Sequence, residues 1–429
     1  MSRPAANHDG RVLGRIAPLS FWTAAVATTI ALIVSRRPDG IWRPQFWAED
    51  GRIWYAQAYN DGAISALLTP AGGYLQSFSR LTAALSLAFD LGNAPLVFNV
   101  AAVLAQATVP LYLLSSRLAS ALPDLRVRML AALLVIGAPN GFEIQSNVTN
   151  TQTHLALLAL LIVLADRPRG LAWVTFDVVF LLLAGMSGPT CVLLVPIAGL
   201  AWRHQRSRWR LVILLVLLVP ASVQAFTYWW TQGAGRIATP LGASVLRFLQ
   251  IVGGQIFVAG TLSSRGYAFV LWLGDAFGSS VTAIFGIAGL LLVARALLVT
   301  RSFPLRMLVL FATLALAAAL WNPAIGMPER WQAMRVPNAG IRYYAPPILA
   351  FLAVTLWSAC ADPDRRFRLA ARAVLTAVLL VGMPLDWRVE PRADLDFPSH
   401  VARFAAAPAG AKVRIPIPPV GWRMILYKH

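Results

Sequence analysis

The chain repeats one pattern: apolar blocks of about membrane-spanning length, separated by short loops rich in arginine. A span of about 20 apolar residues crosses the roughly 30 Å hydrocarbon core as a helix. The spanning backbone must satisfy its own hydrogen bonds, so a chain of this kind folds as a helical bundle. Only 13% of its 429 residues are charged and 58% are hydrophobic, against roughly 25% charged in soluble domains. The sequence therefore predicts an all-α polytopic membrane protein with about 11–13 transmembrane helices.

A net charge of +19 would suggest nucleic acid in a soluble protein. Here the arginines cluster between apolar blocks, which fits the positive-inside bias and anionic lipid, with no nucleic-acid partner. Lysine occurs only at Lys412 and Lys428, which points to a GC-rich, bacterial genome. Two cysteines, Cys191 and Cys360, give no disulfide framework.

The loops Arg117 to Arg128, Asp166 to Arg169, Arg203 to Arg210, Arg295 to Arg306 and Asp362 to Arg372 are placed in the cytoplasm. The spans then run 16–35, 95–116, 128–139, 153–165, 171–186, 190–202, 211–230, 279–299, 303–320, 343–359 and 372–386. Residues 1–15 carry Arg3, Arg11 and Arg15, and 16–35 reads as an uncleaved first span with a cytoplasmic N-terminus. Residues 74–91 are apolar enough to cross, but crossing would invert every later loop. They read as an interfacial or re-entrant helix inside one large outer loop, 36–94. Residues 244–277 read as two spans or as an outer hairpin. Residues 1–386 form the transmembrane unit. The tail 387–429 is a short extracytoplasmic segment, with 411–419 strand-like or extended, which packs on the outer loops.

Polar residues then collect on the outer side. The first loop carries Glu49 and Asp50 amid Phe46, Trp47, Trp54 and Tyr55. With residues 50–60 helical, adjacent residues diverge by about 100°, so one carboxylate faces a pocket and the other caps that helix. The plain alternative is that both are helix-start acids. Glu143 stands among amides in the loop 140–154, with Asn147 and the lone His154. Such a loop suits a hydroxyl-rich ligand or satisfies its own backbone. Arg342 begins a span in Gly340-Ile341-Arg342-Tyr343-Tyr344, where an unpaired cation is costly. Its fork suits a phosphate, whereas Arg330 and Arg335 read as snorkelling side chains.

The arrangement of a first span, an outer loop with Trp47-Ala48-Glu49-Asp50-Gly51, interfacial helices and a second acid at Glu143 resembles the GT-C superfamily. These are polytopic glycosyltransferases that use polyprenyl-phosphate-linked sugars. The resemblance implies a GT-C-like fold in the plasma (inner) membrane and an inverting transfer on the extracytoplasmic side. The acceptor would be an envelope glycan, lipid or protein. Glu49 or Asp50 would be the catalytic base. Glu143, Arg342, Tyr74, Arg80, Asn147 and Tyr343 would bind substrate, with Arg342 on the departing phosphate. Some members use a divalent cation, Mg or Mn, and others do not. The loop holds no D-x-D triplet, and Glu143 would be the second ligand. The competing readings are a transporter or lipid flippase, for which Asp177 and Asp275 would be the intramembrane acids, and a non-catalytic partner in envelope synthesis.

Overall fold

The computed structural model describes residues 19–231, 239–277, 281–323, 325 and 329–429, without the side chains of residues 191 and 274–277. The N-terminal segment 1–15 and the side chains of Cys191 and Asp275 therefore lie outside the described residues.

Each of the eleven apolar segments forms a helix or most of one. Among the described residues, seven helices are long and apolar enough to cross a membrane, from Leu19–Arg36 to Arg365–Leu385. Thr151–Leu164, Leu171–Gly185 and Ala345–Ala361 are apolar but shorter. The chain is a multi-pass helical membrane protein by these measures.

The two ends of the bundle differ in chemistry. At one end arginines cap the carboxyl termini of neighbouring helices. Arg128 Nη1 donates to the Ser115 carbonyl at 2.7 Å, after the helix Ala94–Leu114. Arg210 Nη2 donates to Ala165 O at 2.9 Å, Arg306 Nη2 to Thr300 O at 2.7 Å and Arg372 Nε to Ala359 O at 3.0 Å. A guanidinium there satisfies orphan carbonyls and meets the negative pole of the helix dipole. Arg117 holds Asp177 through two hydrogen bonds, at 3.0 and 2.7 Å. Asp177 thus neutralises a capping arginine at the arginine end, in place of standing alone at mid-span.

The opposite end gathers the first loop, the turn 138–150, the segment 329–344 and the tail. Within the first loop, Ser77–Ser86 is helical but only 10 residues long, about 15 Å. It is too short to cross and exposes Leu81 and Leu85, as an interfacial helix would. The break after Gly185 is pinned to it, since Ser77 N donates to Met186 O at 2.9 Å.

The segment Val245–Leu273 qualifies as a span by length and composition. It is broken at Ser263, where φ is 80°. Before the break, Gln255 Nε2 donates to Val336 O at 2.8 Å; after it, Ser264 N donates to Asp386 Oδ2 at 3.2 Å. Both sides meet the loop end, which fits the outer hairpin and not two full crossings. Gly253 lets it lie against the helix Val281–Val299: a Cβ there would fall 1.8 Å from Thr282 O.

The tail adds one small strand pair to the otherwise helical chain, where 411–419 reads as strand-like or extended. Strands Lys412–Ile417 and Trp422–Tyr427 pair antiparallel. Their inward row, Ile415, Ile417, Met424 and Leu426, alternates with outward residues as a half-buried strand pair must. That row joins Phe46, Trp54, Tyr55 and Phe98 in one apolar cluster. The hairpin thus shares its core with the first loop.

Candidate functional site

Asp50 is fully buried. Its Oδ1 accepts from the Thr149 amide and hydroxyl, both at 2.8 Å, and its Oδ2 from the Val148 amide at 3.1 Å. These amides lie in the turn just before the helix Thr151–Leu164, whose N-cap is Asn150, so Asp50 pins that turn to the first loop near the helix's positive end. Burial nevertheless pushes its carboxyl up to about 6, against the pull of these bonds and of Arg392. Trp54 Nε1 extends the chain, donating to the Thr149 hydroxyl at 3.1 Å.

Glu49 is its opposite. It is half-buried and makes no hydrogen bond or ion pair among the described residues. Ala48 before it sits at φ 46°, a left-handed conformation uncommon for a residue with a Cβ. The Ala48 amide is held there by Pro418 O at 2.6 Å. From Asp50 the chain winds as a wide π-type turn, Asp50–Tyr55, a device that often re-aims side chains at functional sites. Neither acid caps the helical segment that starts here: Glu49, at its N-cap, makes no side-chain cap bond, and Asp50 is bonded to Val148 and Thr149 instead.

The sequence gives no hint of the charges that surround this turn. Arg392, from the tail, donates to Gln45 O at 2.6 Å, Ser146 O at 2.6 Å and Asn99 Oδ1 at 3.0 Å. Its amide donates to Asp39 Oδ2 at 3.0 Å. Arg37 and Arg392 both lie over the Trp47 ring, at 5.7 and 5.6 Å. Burial, then the Arg392 charge, pulls Arg37 down to about 9, with Asp39 opposing. Two cations, one carboxylate and an indole thus form one cluster beside Glu49.

Glu143 and Arg342, on separate loops, are one unit. Arg342 Nη1 pairs with Glu143 Oε1, and the Arg342 amide donates to Glu143 Oε2 at 3.0 Å. Tyr343 lies against the same guanidinium, with ring centroid 4.9 Å away. Burial works against the Arg342 charge, but Glu143 and Tyr343 outweigh it and push its pKa up. Arg342 keeps about a third of its side chain exposed, so it presents an open edge.

Other candidates lie inward. Asn147 is buried, its amide donating to Glu143 O at 2.7 Å and Gln145 O at 3.2 Å. It ties the turn to itself, and its sequon is closed off from solvent. Arg80 is buried, stacked 4.8 Å over Trp54, and donates to Thr69 O at 2.9 Å. Both hold the loop instead of facing outward. Tyr74 is half-buried on the turn Ala71 to Tyr74. His154 is buried against Ile144 O at 3.0 Å.

Asp50 and Glu143 are not free to hold a divalent cation, and the one uncommitted acid of the three, Glu49, does not by itself make a divalent site. The oxygens a cation would take on Asp50 already accept two amides and a hydroxyl, and those on Glu143 accept Arg342. A carboxylate so surrounded by donors is not set to ligate a hard cation. No protein-family model and no curated protein matches the chain.

Proposed function

We propose that the chain is a membrane glycosyltransferase that moves a sugar from a polyprenyl-phosphate donor to an envelope glycan, lipid or protein acceptor, at the outer face of the plasma membrane. The observation that carries this reading is the division of labour between Glu49 and Asp50. A strained, aromatic-rimmed turn displays one uncommitted carboxylate while its neighbour is locked as the anchor. A general base must be reachable, and Glu49 is the reachable acid.

In this mechanism Glu49 takes the proton of an acceptor hydroxyl. That oxygen bonds to the anomeric carbon from the face opposite the phosphate. The sugar–phosphate bond breaks, and its electron pair leaves on the lipid phosphate, so the anomeric centre inverts. Arg342, held in place by Glu143, offers the cation that meets the departing phosphate. Asp50 is a positioning residue: it fixes the turn against Val148 and Thr149.

One observation favours a non-catalytic role in envelope synthesis. Every contact of Asp50 is structural and its side chain is closed to solvent. Glu49 separates the readings, because a structural partner tolerates Glu49→Gln and a transferase does not. The test is sugar transfer from polyprenyl-phosphate donors in liposomes, with Glu49→Gln, Asp50→Asn and Glu143→Gln beside the parent.

A further inference from the structure

A second cavity lies at the arginine end, away from Glu49. It has a volume of about 360 Å³ and runs between five helices, Ala94–Leu114, Leu125–Gly137, Thr151–Leu164, Phe303–Trp321 and Ala345–Ala361. Only Ser302, Trp357 and Cys360 bring a heteroatom to its lining; every other side chain there is hydrocarbon. Protein interiors pack without gaps of this size, and a cavity so lined takes an apolar occupant, since water needs polar partners.

Two observations identify that occupant. The first is depth. Along the helix Ala345–Ala361 the lining runs from Ala361 to Leu349, about 18 Å at 1.5 Å per residue. That is about one leaflet of a roughly 30 Å core. The second is charge. Arg126 and Arg301 are exposed and adjoin the lining residues Val127 and Ser302. Neither guanidinium makes a hydrogen bond or ion pair among the described residues, while Arg128 and Arg306 nearby cap carbonyls. The nearby acids are engaged: Asp124 caps the Arg126 amide and Asp362 pairs with Arg295.

We infer that this groove holds one acyl chain of an anionic phospholipid from the arginine-face leaflet, with its phosphate between Arg126 and Arg301. The site is separate from the transferase reading. A donor lipid reaching Glu49 approaches from the opposite end of the bundle. Several exposed arginines at the arginine end have a guanidinium without a hydrogen bond among the described residues, and of these Arg126 and Arg301 are the two that adjoin the groove lining.

The experiment is native mass spectrometry of the full chain, reconstituted in vesicles of phosphatidylcholine and phosphatidylglycerol and released into mild detergent. The parent is expected to retain one phosphatidylglycerol. Ala353→Trp fills the groove and should lose it; Ala131→Trp, on another helix, repeats the test if the first variant does not fold. Arg126→Gln with Arg301→Gln should keep a lipid but lower the preference for phosphatidylglycerol about tenfold, as expected for the loss of two interfacial cations. The inference is overturned if the parent retains no lipid, retains phosphatidylcholine equally or retains a prenyl chain. It is also overturned if folded groove-filled variants hold lipid as the parent does. None of these outcomes depends on transferase activity.

Discussion

Asp50 and Thr149, 99 residues apart in the chain, are joined by two hydrogen bonds of 2.8 Å, from the amide and the hydroxyl of the threonine to one carboxylate oxygen. This contact fixes the first loop to the turn that starts the helix Thr151–Leu164, and it leaves Glu49 as the open acid.

The burial of Asp50 has a pH signature. Its carboxyl is raised from 3.8 to about 6 in the folded chain. Between those values the folded state holds a proton that the unfolded state lacks, so stability falls as pH rises through about 6. Other buried groups also titrate in this window, so the test is the difference in melting temperature between the parent and Asp50→Asn: going from pH 7.5 to pH 5.5 should shift it in the parent's favour by about 1–2 degrees. A difference that does not change with pH would contradict the assignment.

Arg392 is the tail's anchor, buried among Gln45, Asn99, Ser146 and Asp39. Breaking a buried charged network on one side costs about 3–5 kcal/mol. Arg392→Leu should destabilise by that order and free the hairpin Lys412–Tyr427 for cleavage by added protease. The measurement is limited proteolysis of the reconstituted protein, read at the C-terminus.

Glu143 and Arg342 should behave as a coupled pair. Either Glu143→Gln or Arg342→Gln is expected to lower stability by about 1–2 kcal/mol, because the pair is partly exposed. The double variant should cost less than the sum. Additive losses in a double-mutant cycle would mean that the two do not act together.

Gly253 is a packing requirement. A methyl there would meet Thr282 O at 1.8 Å and Gly286 N at 2.6 Å, both backbone atoms that cannot swing aside. Gly253→Ala should lower the melting temperature sharply, as loss of close helix contact through small residues does. Gly199→Ala, where a Cβ meets nothing within 4 Å, is the control and should be nearly neutral.

The helical segments were legible because apolar blocks bounded by arginines carry their own signal. Ser77–Ser86 was legible for a second reason: treating it as a span would have reversed the charge pattern of every later loop. The uses of those arginines were not legible. Arg128 and Arg210 look the same in sequence as Arg126 and Arg301, yet the first two cap carbonyls across helix gaps. The cluster of Arg37, Asp39 and Arg392 was hidden because its members lie more than 350 residues apart in the chain. For the acids, the spacing argument separated Glu49 from Asp50 but could not say which one the fold buries. That depended on Val148 and Thr149, whose amides only the folded turn brings to Asp50. The hairpin partner Trp422–Tyr427 was masked by its mixed pattern, because one face of the strand is solvated.

The central claim is that Glu49 is the base for the acceptor hydroxyl while Asp50 only holds the turn in place. The most direct measurement is the rate of donor consumption and product formation in liposomes loaded with polyprenyl-phosphate sugars and an envelope extract, with folding checked by melting curves. The account predicts transfer by the parent, loss of about a hundredfold or more for folded Glu49→Gln, as for removal of a general base, and a smaller loss for folded Asp50→Asn. No transfer by the parent, or a Glu49→Gln variant as active as the parent, would contradict it.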